Sequence, residues 1–246
     1  VPALPPQVTS ITAGGSPAGY LPLSIFGITP IAGVGDDTIT NFNTPTFWYG
    51  GEPYTRLGVV SNGYVVIGGG TAADIVFAPQ TFPNPARPNN VVAPFWSDLN
   101  PAAAGAIRIG TLTDGVSNWI VIDWAGVRNF SNPTAHSFEV WLKSGATPAT
   151  EEVTMAYGTA GAGDPASGVN WGAENRDGSS GKNLAAPPAN GSDWKINLAP
   201  PQAGGTSTVT FDVSATRFGT YPSLASLTSN VTPGITQVPV DLTVTP

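Results

Sequence analysis

Apolar and polar residues alternate at every second position in several stretches of this chain, a pattern typical of half-buried β-strands. Within residues 136–143, Phe138, Val140 and Leu142 fall on one face, and Glu139 and Trp141 fall on the other. The same period of two is found in residues 153–157, 209–213 and 238–244. No window shows a sustained helical period free of Gly or Pro, so we expect an all-β protein of antiparallel strands.

Turn-forming dipeptides separate the strand candidates. Asn62-Gly63 lies between residues 57–60 and residues 64–67, and Asn-Gly favours the two positive φ angles of a type I′ turn. We therefore predict a tight β-hairpin there, and a looser hairpin at Asp114-Gly115. Short strands divided by Gly, Pro, Asn and Asp predict an antiparallel, jelly-roll-like β-sandwich rather than a parallel α/β sheet.

Two stretches rich in Pro and Gly suggest the domain boundaries. Residues 1–19 contain a single strand candidate at 7–12, and the residues from 199 to 205 have the composition of a linker. We expect a main sandwich over residues 20–198 and a smaller β unit over 199–246, with strand candidates at 207–213, 223–228 and 237–245. Three strands are few for an independent sandwich. We therefore expect the strand at 7–12, or a neighbouring domain, to complete the smaller unit.

The amino-acid composition mainly excludes classes of function. The 246 residues carry nine Lys and Arg against 16 Asp and Glu, a formal net charge of −7, so there is no basic surface for nucleic acid or an anionic membrane. No apolar run approaches the ~18 residues of a membrane-spanning helix. The chain has no Cys and one His, His136, which excludes thiol catalysis, Cys-ligated zinc and multi-His metal sites. It begins VPALPP, which is not a signal peptide, so we expect a mature chain or a piece of a longer one.

Two kinds of hydrolase active site are candidates in this sequence, a serine triad and a pair of carboxyl groups. A serine triad needs an imidazole base, but His136 opens an alternating strand and no G-x-S-x-G motif occurs, so we interpret it as an ordinary strand histidine. A glycosidase needs two carboxyls that face one cleft. The acids nearest to Trp residues are Asp98, Asp123, Glu139 and Glu174. We interpret them as solvated strand-end acids or as acceptors of backbone N–H groups in turns.

Signals for a metal or a ligand are weaker. Loop oxygens suited to a structural Ca²⁺ are offered by Asp36, Asp37, Asp98 and Asn100, although no EF-hand spacing occurs; no other cofactor is expected. The seven Trp residues are of the type that stacks on sugars, but their apolar neighbours favour positions in the core.

Five residues are expected to act as scaffold. Asn62 and Gly63 fix the register of the hairpin. Pro94 lies in an apolar strand and lacks the N–H donor, which predicts an edge strand or a bulge. Trp96 ends that strand and is expected to pack in the core, and Asp98 is expected to stabilise the turn that follows.

Five segments in a fixed order resemble a known module. They are residues 54–64 (YTRLGVVSNGY), 88–101 (PNNVVAPFWSDLNP), 119–124 (WIVIDW), 137–142 (SFEVWL) and 172–178 (GAENRDG). Their order resembles the accessory modules found C-terminal to the catalytic domain in bacterial secreted subtilisin-like serine peptidases. The pair SNGY and APFWSDLNP is similar to the extracellular nidogen-type NIDO domain. The resemblance covers residues 20–196, and the tail, with YP at 221–222 and VPVDLTV at 238–244, is similar to the end of a fibronectin type III-like repeat.

The resemblance implies a secreted, non-catalytic module that supports or targets a catalytic domain in the same polypeptide, through contacts with a protein or glycan surface. The peptidase's own Asp, His and Ser motifs are absent, so no catalytic residue is carried over and the chain itself is not expected to be an enzyme. Two alternatives stay open. One is a structural or adhesive subunit of a surface layer or filament, in which the strand at 7–12 is donated to a neighbour. The other is a glycan-binding or glycoside-cleaving protein.

Overall fold

The structure, a computed structural model, describes residues 3–204, 216–228 and 235–245, with the backbone alone for 223–228 and 235–242. In these residues nearly all regular structure is β, which confirms the all-β prediction. The strands are β1 (Gln7–Ala13), β2 (Ile39–Tyr49), β3 (Glu52–Val60), β4 (Tyr64–Ile67), β5 (Val91–Trp96), β6 (Leu99–Asn100), β7 (Ala106–Thr113), β8 (Asn118–Asn129), β9 (Ala135–Ser144), β10 (Val153–Thr159), β11 (Asn170–Glu174), β12 (Gly181–Asn183), β13 (Asp193–Ala199), β14 (Gly219–Thr228) and β15 (Ile235–Val244). Short 3-10 helices occur at Leu23–Phe26, Ala72–Asp74 and Pro148–Thr150.

Strands β1 to β13 form one large antiparallel sheet with the form of a sandwich. The order along it is β1-β13-β10-β9-β2-β3-β4-β5-β11-β12, and β8 joins it by pairing with β9 as well as with β6 and β7. Strand β9 is the branch point, because it pairs with β8 and β10 along most of its length and with β2 at Ser144. The predicted antiparallel sandwich is confirmed.

Alternation along β8 and β9 decides which side chains enter the main core. Phe138, Val140 and Leu142 of β9 are fully buried there, next to Ile120 and Ile122 of β8. Each buried side chain of this size contributes about 1.5–3 kcal/mol relative to an exposed one. The inward face predicted from the sequence of β9 is therefore confirmed.

The opposite face of the same strands is buried as well, which alternation alone did not predict. Trp119 and Val121 of β8 and Trp141 of β9 form a second apolar cluster, and Leu23 packs into it with no exposed surface. Leu23 comes from a segment ahead of β2, so the cover over this face is remote in sequence from the strands that it covers.

The SNGY hairpin lies where the sequence predicts it, but its turn differs. Val60 and Tyr64 form the last pair of β3 and β4, so the loop is Ser61, Asn62 and Gly63. Gly63 has a φ of 80° and Asn62 is not in the positive region, whereas a type I′ turn needs two positive φ angles. The type I′ prediction is wrong. The buried side chain of Asn62 accepts the N–H of Leu99 at 3.0 Å, and the loop is of the three-residue kind that ends in a left-handed glycine.

The N-terminal strand belongs to the large sheet. β1 pairs with β13 from Gln7–Ala199 to Ala13–Trp194. A bulge between Val8 and Ser10 allows Val8 and Ile11 both to pack on the main core. The prediction that this strand completes the C-terminal unit is wrong, because its apolar side chains are already buried against the sheet of β13.

A separate compact unit holds Leu4 and the described residues from Gln202 onward, whereas Pro5–Pro201 form the unit of the large sheet. In the smaller unit, β14 and β15 pair without interruption from Gly219–Val244 to Thr228–Ile235. These strands correspond to the candidates at 223–228 and 237–245. The third candidate, at 207–213, lies outside the described residues.

Candidate functional site

Residues 16–28, which we call the strap, cross the outer face of β7, β8, β9 and β10. The strap lies close to the sheet because Gly158 and Gly110 have no side chains at the points where Tyr20 and Ile28 cross them. A Cβ at either glycine would overlap the strap residue above it. Leu23 anchors the middle of the strap in the cluster of Trp119 and Trp141 described above.

Two carboxyl groups lie beneath the strap. Asp123 of β8 and Glu139 of β9 are direct cross-strand neighbours, and neither is exposed to solvent. The strap backbone donates to both groups, from Leu23 N–H to Asp123 Oδ2 at 3.0 Å and from Leu21 N–H to Glu139 Oε2 at 3.0 Å. The hydroxyl of Tyr20 donates to Asp123 Oδ1 at 3.2 Å. The carboxyl pair therefore holds the strap on the sheet.

Burial controls the protonation of this pair. It raises the pKa of Asp123 to about 6, although the hydrogen bonds from the strap and the nearby Arg108 act in the opposite direction. It raises the pKa of Glu139 to about 8, and the charge of Asp123 adds to the increase because a like charge disfavours ionisation. At neutral pH Asp123 is mainly ionised and Glu139 mainly protonated. Among the described residues, the buried Oε1 of Glu139 has no hydrogen-bond partner.

A groove of about 150 Å³ lies beside the strap and has mainly apolar walls. Leu21 and Phe26 of the strap line it, together with Leu112, Trp119 and Trp141. The two indoles meet edge to face with ring centroids 6.3 Å apart. Phe26 is 50% exposed, whereas Trp119 and Trp141 are 6% and 2% exposed. Phe26 is therefore the accessible aromatic ring of this groove.

Of the four acids near Trp residues, the structure pairs Asp123 with Glu139 and places the other two elsewhere. Glu174 lies on β11, where Asn84 N–H donates to its Oε2 at 3.0 Å, and burial raises its pKa to about 8. Asp98 follows β5. The interpretation as solvated acids is wrong for Asp123, Glu139 and Glu174, none of which is exposed. They do accept backbone N–H groups, as the second interpretation has it, but the acids stand on strands, and the N–H groups come from the strap and from the loop at Asn84.

The calcium candidates come together only in part. Burial raises the pKa of Asp98 to about 6, and the charges of Asp36, Asp164 and Asp37 add to the increase, so these acids share one end of the sheet. The carboxylate of Asp37 also accepts the Asn62 amide at 2.7 Å. Asn100 instead accepts a backbone N–H within its own turn at 3.0 Å. Over the described ranges, no group of three or more His, Asp or Glu side chains could hold a metal ion.

The two NIDO-like segments of the sequence meet directly. Ser97 N–H donates to the carbonyl of Asn62 at 3.2 Å, and Phe95 N–H donates to the carbonyl of Gly63 at 3.3 Å. Trp96 is fully buried, packs against Tyr64 with tilted rings whose centroids are 4.3 Å apart, and donates its indole N–H to Val76 O at 2.8 Å. These contacts join the SNGY loop to the strand of the second segment.

The structure tests the roles predicted from the sequence for Pro94 and Asp98. The pairing of β5 with β11 skips one residue between Trp96–Asn170 and Ala93–Gly172. Pro94 lies in this bulge, where no ladder donor is needed, so the bulge prediction is confirmed. Asp98 contributes its backbone to the turn, with its N–H donating to Ser167 Oγ at 3.1 Å and its carbonyl accepting from Phe130 N–H at 2.9 Å.

His136 of β9 is fully buried against Phe95, with ring centroids 4.2 Å apart. Its Nε2 lies 2.9 Å from Asn129 Oδ1 and its Nδ1 lies 3.1 Å from Ala160 O. Burial lowers the pKa of this imidazole, although the carbonyl of Ala160 acts in the opposite direction. These contacts are typical of a structural histidine in a core.

The family model for NIDO-related domains matches residues 15–213. The chain belongs to the NIDO-related family. No curated protein and no solved structure matches it significantly. The NIDO part of the resemblance seen in the sequence is therefore confirmed.

The NIDO-related match includes the strap, the carboxyl pair and the SNGY and APFWSDLNP segments, and β1 precedes it. Domains of the NIDO type are typically extracellular. In the part of the chain that the structure describes, none of the helices has the length and apolar character to cross a bilayer.

Sequence reasoning missed the strap of this NIDO-related chain. A signal was present in the segment WIVIDW, where Asp123 stands inside an apolar run that has no polar face. Both faces of such a strand are buried, and a carboxyl there needs partners from a covering segment. Nothing in the sequence named residues 16–28 as that segment, because they follow no strand or helix period.

Proposed function

We propose that this NIDO-related chain is a secreted, non-catalytic β module that supports or targets a catalytic domain in the same polypeptide. One observation carries the proposal, namely the role of Asp123 and Glu139. A glycosidase holds its two carboxyls on either side of a substrate in an open cleft. In this chain both carboxyls are covered, and each accepts a backbone N–H of the strap, so they act in the fold rather than on a substrate.

The surface beside the strap is suited to contact with another protein. Ile25 and Phe26 are 65% and 50% exposed, and Val116, in the β7–β8 loop, is 91% exposed. Phe26 lines the groove together with Thr113 and Asp114 at the base of that loop. Neighbouring exposed apolar side chains favour an interaction site over ordinary surface. We propose that the module contacts its protein partner through this surface.

The link to a subtilisin-like serine peptidase rests on the order of the five sequence segments, and the extracellular type of the family supports it. The fibronectin type III-like character of the tail is part of the same proposal, and the β14–β15 hairpin is compatible with it. In this view the catalytic Asp, His and Ser belong to another part of the polypeptide.

Two measurements test the proposal. The first is the size of the native polypeptide, detected with an antibody to this chain, and its labelling by a fluorophosphonate probe; we expect a larger secreted band that is labelled until heat inactivation. An unlabelled band of this chain's own mass would refute the peptidase link.

The second measurement compares the variants Phe26→Ser and Phe77→Ser, since Phe77 is also 50% exposed. Both variants are made in the full polypeptide that carries the catalytic domain. We expect only Phe26→Ser to lower the rate at which that domain cleaves a protein substrate, and we expect neither variant to change the rate for a short peptide.

A glycan-binding module is the second candidate, favoured by the indoles of Trp119 and Trp141 in the groove wall. Their low exposure leaves Phe26 as the ring available for stacking. Titration with a glycan panel, followed by tryptophan fluorescence, would favour this candidate if saturable changes occur and Phe26→Ser abolishes them. A flat response across the panel would remove it.

A further inference from the structure

We propose that the strap is a pH-dependent cover, which is closed over the Trp119–Trp141 face in acid and released as the Asp123–Glu139 pair becomes doubly ionised. The geometry for this lies in the pair itself. Two carboxyls face each other on adjacent strands with no access to solvent. Each one is bonded to a backbone N–H of the strap. The groups that titrate are thus the same groups that hold the cover. This inference does not depend on the accessory role proposed above.

The charged groups around the pair leave it short of positive charge. From β7, Arg108 stands opposite Asp123, and its Nε also donates to the strap carbonyl of Ile28 at 3.1 Å. From β10, the residue opposite Glu139 is Ala156, which carries no charge. Beyond it, Asp193 of β13 stands opposite Ala156 and accepts the Ser16 N–H of the strap. The strap adds the hydroxyl of Tyr20. This row of the sheet therefore contains one guanidinium, next to Asp123, and three carboxyl groups.

The direction of the effect follows from the pKa values of the two states. In the closed state burial raises the pKa of Asp123 to about 6 and that of Glu139 to about 8. When the strap lifts, water reaches both groups, and their pKa values return to about 4. The closed state thus binds protons more tightly than the open state. It is most stable near pH 4, loses stability as pH rises to about 8, and changes little above that.

The ends of the strap allow such a movement. Gly14 and Gly15, immediately before it, have φ angles of 83° and 101°, and Gly27 near its end has a φ of 72°. Glycine takes up rotations of this kind with little strain, so the segment between these points can lift while β1 and β2 stay paired. Opening would uncover Leu23, Trp119 and Trp141, which are buried in the closed state.

Amide hydrogen exchange tests the proposal. We would measure the opening equilibrium of residues 20–28 between pH 5.5 and 9, after correction for the base-catalysed exchange rate of free peptide. We expect the equilibrium constant for opening to rise about tenfold or more up to pH 8 and then to level off. Amides of β4 should show no parallel change, because they belong to the core. A constant value at residues 20–28, or a parallel rise in β4, would overturn the proposal.

Two variants assign the effect to its residues. Glu139→Gln keeps the size and one acceptor oxygen but cannot ionise, so the rise in opening between pH 6.5 and 8 should disappear. Glu174→Gln is the matched control, because Glu174 is another buried glutamate whose pKa is raised to about 8; it should retain the rise of the unmodified protein. Equal pH profiles for Glu139→Gln and the unmodified protein would overturn the proposal. If Glu139→Gln does not fold, the profile of the unmodified protein still decides.

Discussion

Gly63 packs directly against the backbone carbonyl of Phe95, and a Cβ built on Gly63 would overlap that carbonyl. The N–H of Phe95 donates in turn to the carbonyl of Gly63 at 3.3 Å. The glycine of SNGY and the strand of APFWSDLNP are thus fitted to each other. This contact gives a physical reason for a glycine at the last position of the loop, in addition to its φ of 80°.

The contact predicts a large effect for Gly63→Ala. The substitution adds both the strain of a positive φ, about 1–2 kcal/mol, and an overlap with backbone that cannot move without disturbing β5. We expect the free energy of unfolding in urea to fall by about 3 kcal/mol or more, the sum of the φ strain and the overpacking. Gly115→Ala is the matched control, since Gly115 has a φ of 89° but open space around it. Equal losses for the two variants would show that the contact with Phe95 contributes nothing.

Asp98 is predicted to destabilise the fold at neutral pH. Burial and the charges of Asp36, Asp164 and Asp37 raise its pKa to about 6, so the ionised form is disfavoured in the folded state. Asp98→Asn should therefore increase the free energy of unfolding above pH 6, by up to about 1 kcal/mol because solvent screens a partly exposed site. The gain should shrink as pH falls through 6 and vanish near pH 4. Urea unfolding at several pH values measures this, and a loss of stability at pH 7 would contradict it.

Calcium is predicted to have no effect on stability. Asn100 is directed to its own turn, and the amide of Asn62 already occupies one oxygen of Asp37, so the sequence candidates do not form a complete ligand set. We expect EDTA to leave the Tm of the protein unchanged. A Tm that falls in EDTA, recovers with Ca²⁺ but not Mg²⁺, and becomes insensitive in Asp98→Asn would instead establish a calcium site.

Alternation shows which residues share a face, and it does not show what covers that face. The inward positions Phe138, Val140 and Leu142 follow from the period of two, because successive side chains of a strand point to opposite sides. The outward residues Glu139 and Trp141 look like a solvated face by the same rule. Their burial depends on the strap, more than a hundred residues away in sequence, and no local pattern carries that information.

Turn type and strand partners were predictable to different degrees. Asn62-Gly63 marks the position of the hairpin, because Asn-Gly is strongly preferred in tight hairpin turns. The side chain of Asn62 accepts the N–H of Leu99 in β6, a long-range contact that no local turn pattern contains. The partner of β1 is likewise decided by tertiary packing, because the strand pattern at residues 7–12 suits any exposed sheet edge.

The hydroxyl of Tyr20 is predicted to contribute to the closed strap. Tyr20→Phe removes the bond to Asp123 Oδ1 but keeps the ring that packs on Gly158, so we expect a loss of about 1 kcal/mol in the protection of residues 20–28 from hydrogen exchange. Tyr221→Phe is the control, since the hydroxyl of Tyr221 donates to Arg217 O at an exposed site. Protection that is the same in both variants would mean that the hydroxyl of Tyr20 does not hold the strap.

The imidazole of His136 is predicted to have a lower pKa in the folded protein than in the unfolded chain. Burial lowers its pKa below the usual 6.5, so the unfolded chain binds a proton more readily than the folded chain, and this residue's contribution to stability is lost as pH falls below 6.5. His136 is the only histidine, so its ring signals can be followed by NMR without ambiguity. We expect no titration of the folded protein at pH 6.5, and a midpoint near 6.5 in urea as the internal control. A folded-state midpoint at or above 6.5 would show that the imidazolium is stabilised, and that the contacts with Asn129 and Ala160 favour the charged ring.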